Sequence, residues 1–315
     1  MGLFTYLSEE IYKTVNNCKQ IFISFFITFL LYSFFSSLAY QNWNYLLNLH
    51  SDDFYFRYLG PQVCHLLYMF SIHLMLCFIY EYKFEVFEQY KHVSAFPWEK
   101  DPVGWNRLYN RTFGNYIVNQ CLVLPIHGFI FMKFGESYLI TKEEFPGFCE
   151  MFWQILFFHF CNDLFLFVEH VIMHTNFFYN FIHKFHHEHS NVVGISSDYF
   201  HPIEFFLILT AAVIGPNLFN CLFGYKVHIF TFVAWQMINI YDNVVQNYSG
   251  YNFPWRPNGI LPFQNGPGYH YYHQGSSIDR GCYSFSYNFF DRIFGWDQEF
   301  NREMREARSG KVKDN

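Results

Sequence analysis

Residues 20–40 form an uncharged, phenylalanine-rich run of the length that crosses a lipid bilayer. About 20 consecutive apolar residues are needed to span the hydrocarbon core as an α-helix. Residues 61–80 repeat this pattern, with two histidines inside the run. A chain with two such segments is expected to fold as helices in a membrane, and this disfavours an arrangement of two soluble domains.

The overall composition supports a membrane protein. Aromatic residues make up 24% of the chain and charged residues 15%, whereas charged residues make up about 25% of ordinary soluble domains. The net charge is −6 and there is no basic stripe, which argues against a nucleic-acid partner. The eight cysteines are scattered without a C-x-x-C pair, so they are expected to be apolar core residues.

Further apolar segments predict more helices along the chain. They lie at residues 115–134, 147–176, 202–222 and 226–247. The predicted fold is therefore all-α, a multi-pass transmembrane bundle of about four to six spans. Neither a repeat nor a linker is visible, which predicts a single integral-membrane domain over residues 1–315. Gly215-Pro216 is expected to kink or break its helix.

Shorter polar elements are predicted between and after the apolar ones. Residues 177–191 have an amphipathic pattern that predicts a helix. Thr141-x-x-Glu144 is a capping box ahead of the helix expected from residue 147. Residues 297–309 predict a polar helix that Gly310 closes.

Half of the 16 histidines lie between residues 159 and 201. Two spacings stand out there, namely His170-x-x-x-His174 and His183-x-x-His186-His187. Residues three and four apart share a helix face, so each group points its imidazoles at one place. Neutral imidazole is the commonest protein metal ligand and suits iron, zinc, copper or nickel. The pattern predicts a metal site.

A third group and several flanking motifs complete a recognisable set. The third group is His270-Tyr271-Tyr272-His273-Gln274. The chain resembles the fatty acid hydroxylase/sterol desaturase superfamily, and within it the C-4 methylsterol oxidases, over about residues 90–300. The motifs that carry the resemblance are the three histidine groups, Asp163 seven residues before the first histidine, Glu188 after the second group, and the segments 197–204, 248–254 and 290–297.

The resemblance implies a membrane helical bundle with a cytosol-facing cap that carries the histidine groups. It implies two irons that activate O₂, and the hydroxylation or desaturation of a sterol or fatty-acyl lipid. Electrons would come from an external donor such as cytochrome b5. It also implies the endoplasmic reticulum as the location. By matched position, the metal ligands would be His170, His174, His183, His186, His187, His270 and His273.

The third group departs from the family pattern. Gln274 replaces its last histidine, Tyr248 replaces the histidine of H-S-G-Y, and Tyr269 replaces a histidine often found before the group. An active oxygenase would use Gln274 as a ligand or recruit His201 or His159. The alternative is a pseudoenzyme with one iron or zinc, or no metal. It would be a structural or lipid-binding subunit of a larger membrane complex, for example in the mitochondrial inner membrane.

Two acidic residues are candidates to support the metal ligands, and two lysines near residue 312 suggest the membrane in which the protein resides. Asp163 lies about two turns before His170 on one helix face, where an unpaired carboxylate in a membrane helix is costly. Glu169 is a candidate to orient an imidazole. Lys311 and Lys313 resemble a dilysine signal for retrieval to the endoplasmic reticulum.

Overall fold

The computed structural model describes residues 58–134, 139–140, 145–254, 263–275 and 281–308, together with Phe26, Ser33 and Ser37. Four sequence predictions lie outside the described residues. They are the capping box Thr141-x-x-Glu144, the cap at Gly310, the lysines Lys311 and Lys313, and, apart from those three single residues, the first span at 20–40.

The described part of the chain is almost entirely helical, which confirms the all-α prediction. The first half contains α1 (Gly60–Tyr82), α2 (Glu85–Glu88), α3 (Pro97–Lys100), α4 (Pro102–Val118), a π-helical turn (Asn119–Val123) and α5 (Leu124–Phe134). The second half contains α6 (Phe148–Met173), α7 (Asn176–Phe181), 3₁₀ turns at His183–Glu188 and Gly194–Asp198, α8 (Pro202–Phe223), α9 (Ile229–Tyr241), a π-helical turn (Asp242–Asn247), α10 (Pro267–Gly275), α11 (Phe289–Phe294) and α12 (Gln298–Arg308). Two-residue strands β1 (Leu139–Ile140) and β2 (Val227–His228) pair in parallel.

Three of the described helices, α1, α6 and α8, are long and apolar enough to cross a membrane. With about 1.5 Å of rise per residue they are roughly 33 to 39 Å long, and the hydrocarbon core is about 30 Å thick. Large apolar side chains such as Leu67 and Phe70 stay exposed on α1, as expected for a surface that faces lipid. The chain is an integral membrane protein.

Among the described residues the buried core has three parts, two of which share α9, while the third packs Leu124 of α5 against Phe205 and Leu209 of α8. Of the two that share α9, one packs Leu76 of α1 against Ile240 of α9 and against Tyr251. The other packs Phe158 of α6 against Val213 of α8 and Trp235 of α9. Helix α9 therefore connects α1 to the pair formed by α6 and α8.

Helices α6 and α8 approach each other closely where Gly215 meets Phe158. A Cβ atom added at Gly215 would lie 2.6 Å from the Phe158 Cα atom and 3.1 Å from its carbonyl oxygen. Both neighbours belong to the backbone, so they cannot rotate away. The close approach of the two helices thus requires glycine at this position.

Pro216 lies inside α8, which runs from Pro202 to Phe223, so of the kink or break predicted at Gly215-Pro216 no break is observed. Proline has no N–H to donate to the carbonyl four residues earlier, which here belongs to Ala212. That carbonyl accepts a hydrogen bond of 2.9 Å from Trp235 Nε1 of α9. A contact between helices therefore replaces the missing bond within the helix.

The apolar helix predicted at residues 115–134 begins earlier, at Pro102, and continues through α4, the π turn and α5. Asp101 explains this start, because its side chain accepts a hydrogen bond from the Gly104 N–H at 2.9 Å and caps α4. The long helix predicted at 147–176 is observed as α6 and ends at Met173, with His174 as its C-cap.

The amphipathic segment at residues 177–191 contains two short helical elements and no single continuous helix. Helix α7 ends at Phe181, and the second histidine group lies on the 3₁₀ turn His183–Glu188. The apolar segment at 226–247 is divided into β2, α9 and the second π turn. Hydrogen bonds from His183 to Glu204 and from His186 to the Tyr199 carbonyl hold the 3₁₀ turn in place.

Candidate metal centre

Five imidazoles from three parts of the chain converge on one place. His170 and His174 come from the end of α6, His183 and His187 from the 3₁₀ turn, and His273 from α10. One ring nitrogen from each lies within 4.8 Å of the other four. The three groups that resemble the family's histidine motifs therefore all contribute to this cluster.

The distances between these nitrogens suit the coordination shell of one ion. The Nε2 atoms of His183 and His187 lie 3.0 Å apart, those of His174 and His183 3.1 Å, and those of His174 and His273 3.2 Å. Two imidazole nitrogens that are each about 2.1 Å from one metal ion lie about 3 Å apart when they are at right angles. These spacings among four of the imidazoles are compatible with a shared ion, and the group of five, with His170, could hold a metal.

The opposite ring nitrogen of three of these imidazoles is held by a hydrogen bond. His170 Nδ1 donates to the Tyr283 carbonyl at 2.7 Å, and His273 Nδ1 donates to the Gly281 carbonyl at 2.9 Å. His183 Nδ1 donates to a Glu204 carboxyl oxygen at 2.6 Å. A neutral ring whose Nδ1 carries the hydrogen presents a lone pair at Nε2, and metal-binding histidines are typically oriented in this way.

Burial favours the neutral form of the His187 and His273 imidazoles, which lie outside the membrane helices. Burial, opposed by the hydrogen bond to the Gly281 carbonyl and aided by the neighbouring His183, lowers the pKa of His273 to about 4. Burial, followed by His273 and the other rings of the cluster, lowers the pKa of His187 as well. Neutral imidazoles at neutral pH are available as metal ligands.

The two other predicted ligands, His186 and His270, lie beside the cluster and not in it. His186 Nδ1 donates to the Tyr199 carbonyl at 3.1 Å, and its Nε2 lies 2.8 Å from the Tyr248 hydroxyl. The His270 ring lies 4.3 Å from the Tyr248 ring and 6.4 Å from the His186 ring. Its buried Nε2 has no hydrogen-bond partner among the described residues.

The residues considered as substitute ligands lie in different places. Gln274 Nε2 donates to the His186 carbonyl at 2.8 Å, so this side chain adjoins the second histidine group. His201 caps α8, and its Nδ1 accepts from the Ile203 N–H. His159 packs against Trp235 and Tyr287, about three helical turns before His170 along α6. The structure therefore brings only Gln274 near the predicted ligands.

Comparison with known proteins relates this part of the chain to a protein family. A family model described as fatty acid hydroxylase matches residues 155–296, a range that contains all seven histidines predicted as ligands. Residues 155–296 are a fatty acid hydroxylase domain. The resemblance identified from the motifs is thereby confirmed. No solved structure matches the chain significantly.

Similar curated proteins modify lipids. The protein named C-4 methylsterol oxidase erg25, of Schizosaccharomyces pombe, is 34% identical over 164 residues, which are 52% of this chain and 53% of that protein. Thus the match spans about half the length of that relative. Methylsterol monooxygenase 2-2 of Arabidopsis thaliana is 26% identical over 280 residues, 88% of this chain and 99% of that protein. Very-long-chain aldehyde decarbonylase GL1-11 of Oryza sativa is 28% identical over 197 residues, 62% of this chain and 71% of that protein.

Acidic residues anchor the loop 281–286 of the hydroxylase domain against the cluster. Asp163 accepts from the Ser286 N–H at 2.8 Å. Asp291 accepts from the Ser284 N–H at 2.8 Å and from the Tyr269 hydroxyl at 2.7 Å. This loop supplies the carbonyls that hold His170 and His273, so the acids orient ligands indirectly. Tyr269, which stands where relatives often have histidine, belongs to this support.

Glu204 was not predicted as a site residue, although it lies in the motif at residues 197–204. Its contact with His183 is buried at both ends. Glu169, which was predicted to orient an imidazole, is also buried, and one of its carboxyl oxygens has no partner among the described residues. The signal for Glu204 was present in the sequence, because the motif places an acid two residues after Pro202 at the start of α8.

Replacing Glu204 by glutamine is expected to weaken metal binding by about tenfold. Loss of a partner behind a ligand typically lowers metal affinity about 10- to 100-fold, and the amide oxygen of glutamine still accepts the His183 Nδ1–H. The measurement is a competition titration with a metal chelator on the purified protein in detergent. Glu85→Gln, at an exposed position of α2, is the matched control. Equal affinity in both variants would contradict the orienting role.

Proposed function

We propose that this protein is an iron-dependent membrane oxygenase that hydroxylates or desaturates a lipid with O₂. The observation that carries the proposal is the convergence of five imidazoles, three of them with Nδ1 held, inside a fatty acid hydroxylase domain. Iron bound there would supply the reduction of O₂ needed to cleave an unactivated C–H bond. Hydroxylation consumes O₂, two electrons and two protons, and yields an alcohol and water.

The residues of this chain would hold and orient the ion and shield it from water. Glu204 and the carbonyls of Tyr283 and Gly281 hold three rings with Nε2 towards the centre. The imidazoles of His170, His183 and His273 are buried. By resemblance to the family, the electrons are proposed to come from an external donor such as cytochrome b5.

A cavity beside the centre is proposed to hold the lipid. Its free volume is about 70 Å³, below the roughly 300–1,000 Å³ typical of ligand pockets, so the side chains that line it would have to move to admit a lipid. Phe200 and Phe285 line it. The Phe200 ring stacks on His186 at 4.3 Å, and the Phe285 ring lies 5.1 Å from His170. The cavity wall therefore reaches the imidazoles.

Polar side chains in this cavity favour a lipid that carries an oxygen. Asn162 and Asn239 line it, and Asn162 Nδ2 donates to Asn239 Oδ1 at 3.3 Å. Asn162 Oδ1 is buried and has no hydrogen-bond partner among the described residues. A buried acceptor of this kind usually bonds to a ligand or an ordered water. We therefore propose a substrate with a hydroxyl group, for which the methylsterol relatives supply the first compounds to test.

The test uses the purified chain in detergent, loaded with iron(II) and supplied with a reductase and cytochrome b5. A C-4 methylated sterol is the first substrate, and a very-long-chain aldehyde is the second. The expected result is O₂ consumption that depends on lipid, with a product 16 mass units heavier for hydroxylation or 2 lighter for desaturation. Iron without O₂ consumption on any lipid would contradict the proposal and favour the pseudoenzyme alternative.

Replacing Asn162 by leucine is expected to raise KM for a hydroxylated lipid by about tenfold, because one hydrogen bond contributes about 0.5–1.5 kcal/mol. The same change should leave metal content unaltered. Asn110→Leu, at an exposed position of α4, is the control. If KM for the hydroxylated lipid and for its deoxy analogue rise equally, Asn162 does not bind the hydroxyl group.

The endoplasmic reticulum is the proposed membrane, by resemblance to the family, and the mitochondrial inner membrane is the alternative. Fractionation of cells that express the tagged protein separates the two. Recovery with mitochondrial inner-membrane markers would contradict the proposed location.

A further inference from the structure

Beside the five imidazoles, the place where a second metal ion would bind is occupied by a side chain of the protein. His186 and His270 border it, and both are buried. Tyr248 lies between them with no exposed surface. Its ring is 4.3 Å from the His270 ring, and its hydroxyl is 2.8 Å from His186 Nε2. These are the histidines that a second metal ion would need.

The hydrogen bond between Tyr248 and His186 has a fixed direction. His186 Nδ1 faces the Tyr199 carbonyl, which can only accept, so Nδ1 carries the ring hydrogen. His186 Nε2 then presents a lone pair, and the Tyr248 hydroxyl donates to it. This hydrogen bond occupies the Nε2 lone pair of His186, which would otherwise bind a metal ion.

The backbone on both sides holds Tyr248 in this position. The preceding residues form the π-helical turn Asp242–Asn247, which ends at Tyr248. The next residue, Ser249, is buried, and its carbonyl accepts a hydrogen bond from Tyr80 of α1 at 2.9 Å. Movement of Tyr248 away from His186 would disturb the π-helical turn and the hydrogen bond between Tyr80 and Ser249.

With His186 engaged by Tyr248, the second position keeps one free imidazole, that of His270. Among the described residues, His270 Nε2, Gln274 Oε1 and one carboxyl oxygen of Glu204 are buried without a hydrogen-bond partner, and Glu204 is held by His183 through its other oxygen. A stable catalytic site commonly has three or more protein ligands, and the amide oxygen is neutral and binds iron(II) less well than imidazole. The first position, in contrast, has five imidazoles.

We infer that this centre takes one metal ion, held by His170, His174, His183, His187 and His273, and that the Tyr248–His186 hydrogen bond occupies the place of a second ion. The inference departs from the two irons that the family resemblance implies, and it rests on the proposed metal centre. The five imidazoles would hold that ion, and it would supply the activation of O₂ that the proposed function needs. Tyr248 is assigned here as the residue that excludes the second metal.

Metal content per chain tests this directly. The chain is purified in detergent with its affinity tag removed, loaded with iron(II) without oxygen, desalted and measured by mass spectrometry of the metal. One iron per chain is expected for the native protein and for His270→Ala. Two irons in the native protein, falling to one in His270→Ala, would overturn the inference and leave the proposed function intact. No bound iron would overturn both.

A double variant tests the role assigned to Tyr248. Tyr248→His with Gln274→His supplies two imidazoles next to His186 and His270. This variant is expected to bind two irons, with magnetic coupling between them visible by Mössbauer spectroscopy. A folded double variant that still binds one iron would contradict the exclusion of a second ion by Tyr248. If the double variant does not fold, the iron content of the native protein and of His270→Ala still decides between one ion and two.

Discussion

Replacing His183 by alanine is expected to abolish metal binding and lipid-dependent O₂ consumption. His183 Nε2 lies within 3.1 Å of the Nε2 atoms of both His174 and His187, so it contacts more of the cluster than a peripheral ligand would. Its loss also leaves the buried Glu204 carboxyl oxygen without its partner. The affinity for iron should fall by more than the roughly 100-fold that the loss of an outer partner costs.

His201→Ala is the matched control for this experiment. The sequence made His201 a candidate ligand, but its side chain caps α8. Loss of a cap costs about 1 kcal/mol of stability, so the melting temperature should fall slightly while the iron content stays unchanged. Iron loss in His201→Ala equal to that in His183→Ala would contradict the assignment of the five ligands.

Replacing Gly215 by valine is expected to destabilise the protein severely. The new side chain would start 2.6 Å from the Phe158 Cα atom, and α6 would have to move away from α8. Overpacking of a core typically costs about 1–3 kcal/mol and occasionally more, and the upper end is expected because the obstacle is backbone. Helix α6 carries His170 and α8 carries Glu204, so the metal centre would be lost together with the packing.

Thermal unfolding in detergent, together with iron content, measures the effect at Gly215. Gly114→Val in α4 is the matched control, because nothing lies within 4 Å of a Cβ atom added there. A melting temperature of Gly215→Val close to that of Gly114→Val would show that the two helices tolerate separation.

The sequence predicted the participants of the centre better than their arrangement. Spacing identified all five clustered histidines, because i, i+3 and i, i+4 positions bring side chains together on any helical turn. Spacing did not separate His186 and His270 from the others. That separation depends on the 3₁₀ geometry of residues 183–188 and on the Tyr199 carbonyl, neither of which has a local sequence signal.

The sequence also predicted the long apolar helices, but it did not predict how contacts between helices modify them. Helix α6 was expected near its observed bounds because its apolar run is continuous. Of the kink or break expected at Gly215-Pro216, no break is observed, because a residue in another helix, Trp235, satisfies the carbonyl that proline frees. Tyr248 was recognised only as a departure from the family, since the sequence could not show that its hydroxyl reaches His186.

The bond between Trp235 and Ala212 also bears on how the protein enters its membrane. A carbonyl left without a donor in the hydrocarbon core costs several kcal/mol, so α8 alone is poorly suited to lipid after it leaves the ribosome. Only residues 224–228 separate α8 from α9. The two helices are therefore expected to insert as a hairpin, with the tryptophan of the second completing the first during biogenesis.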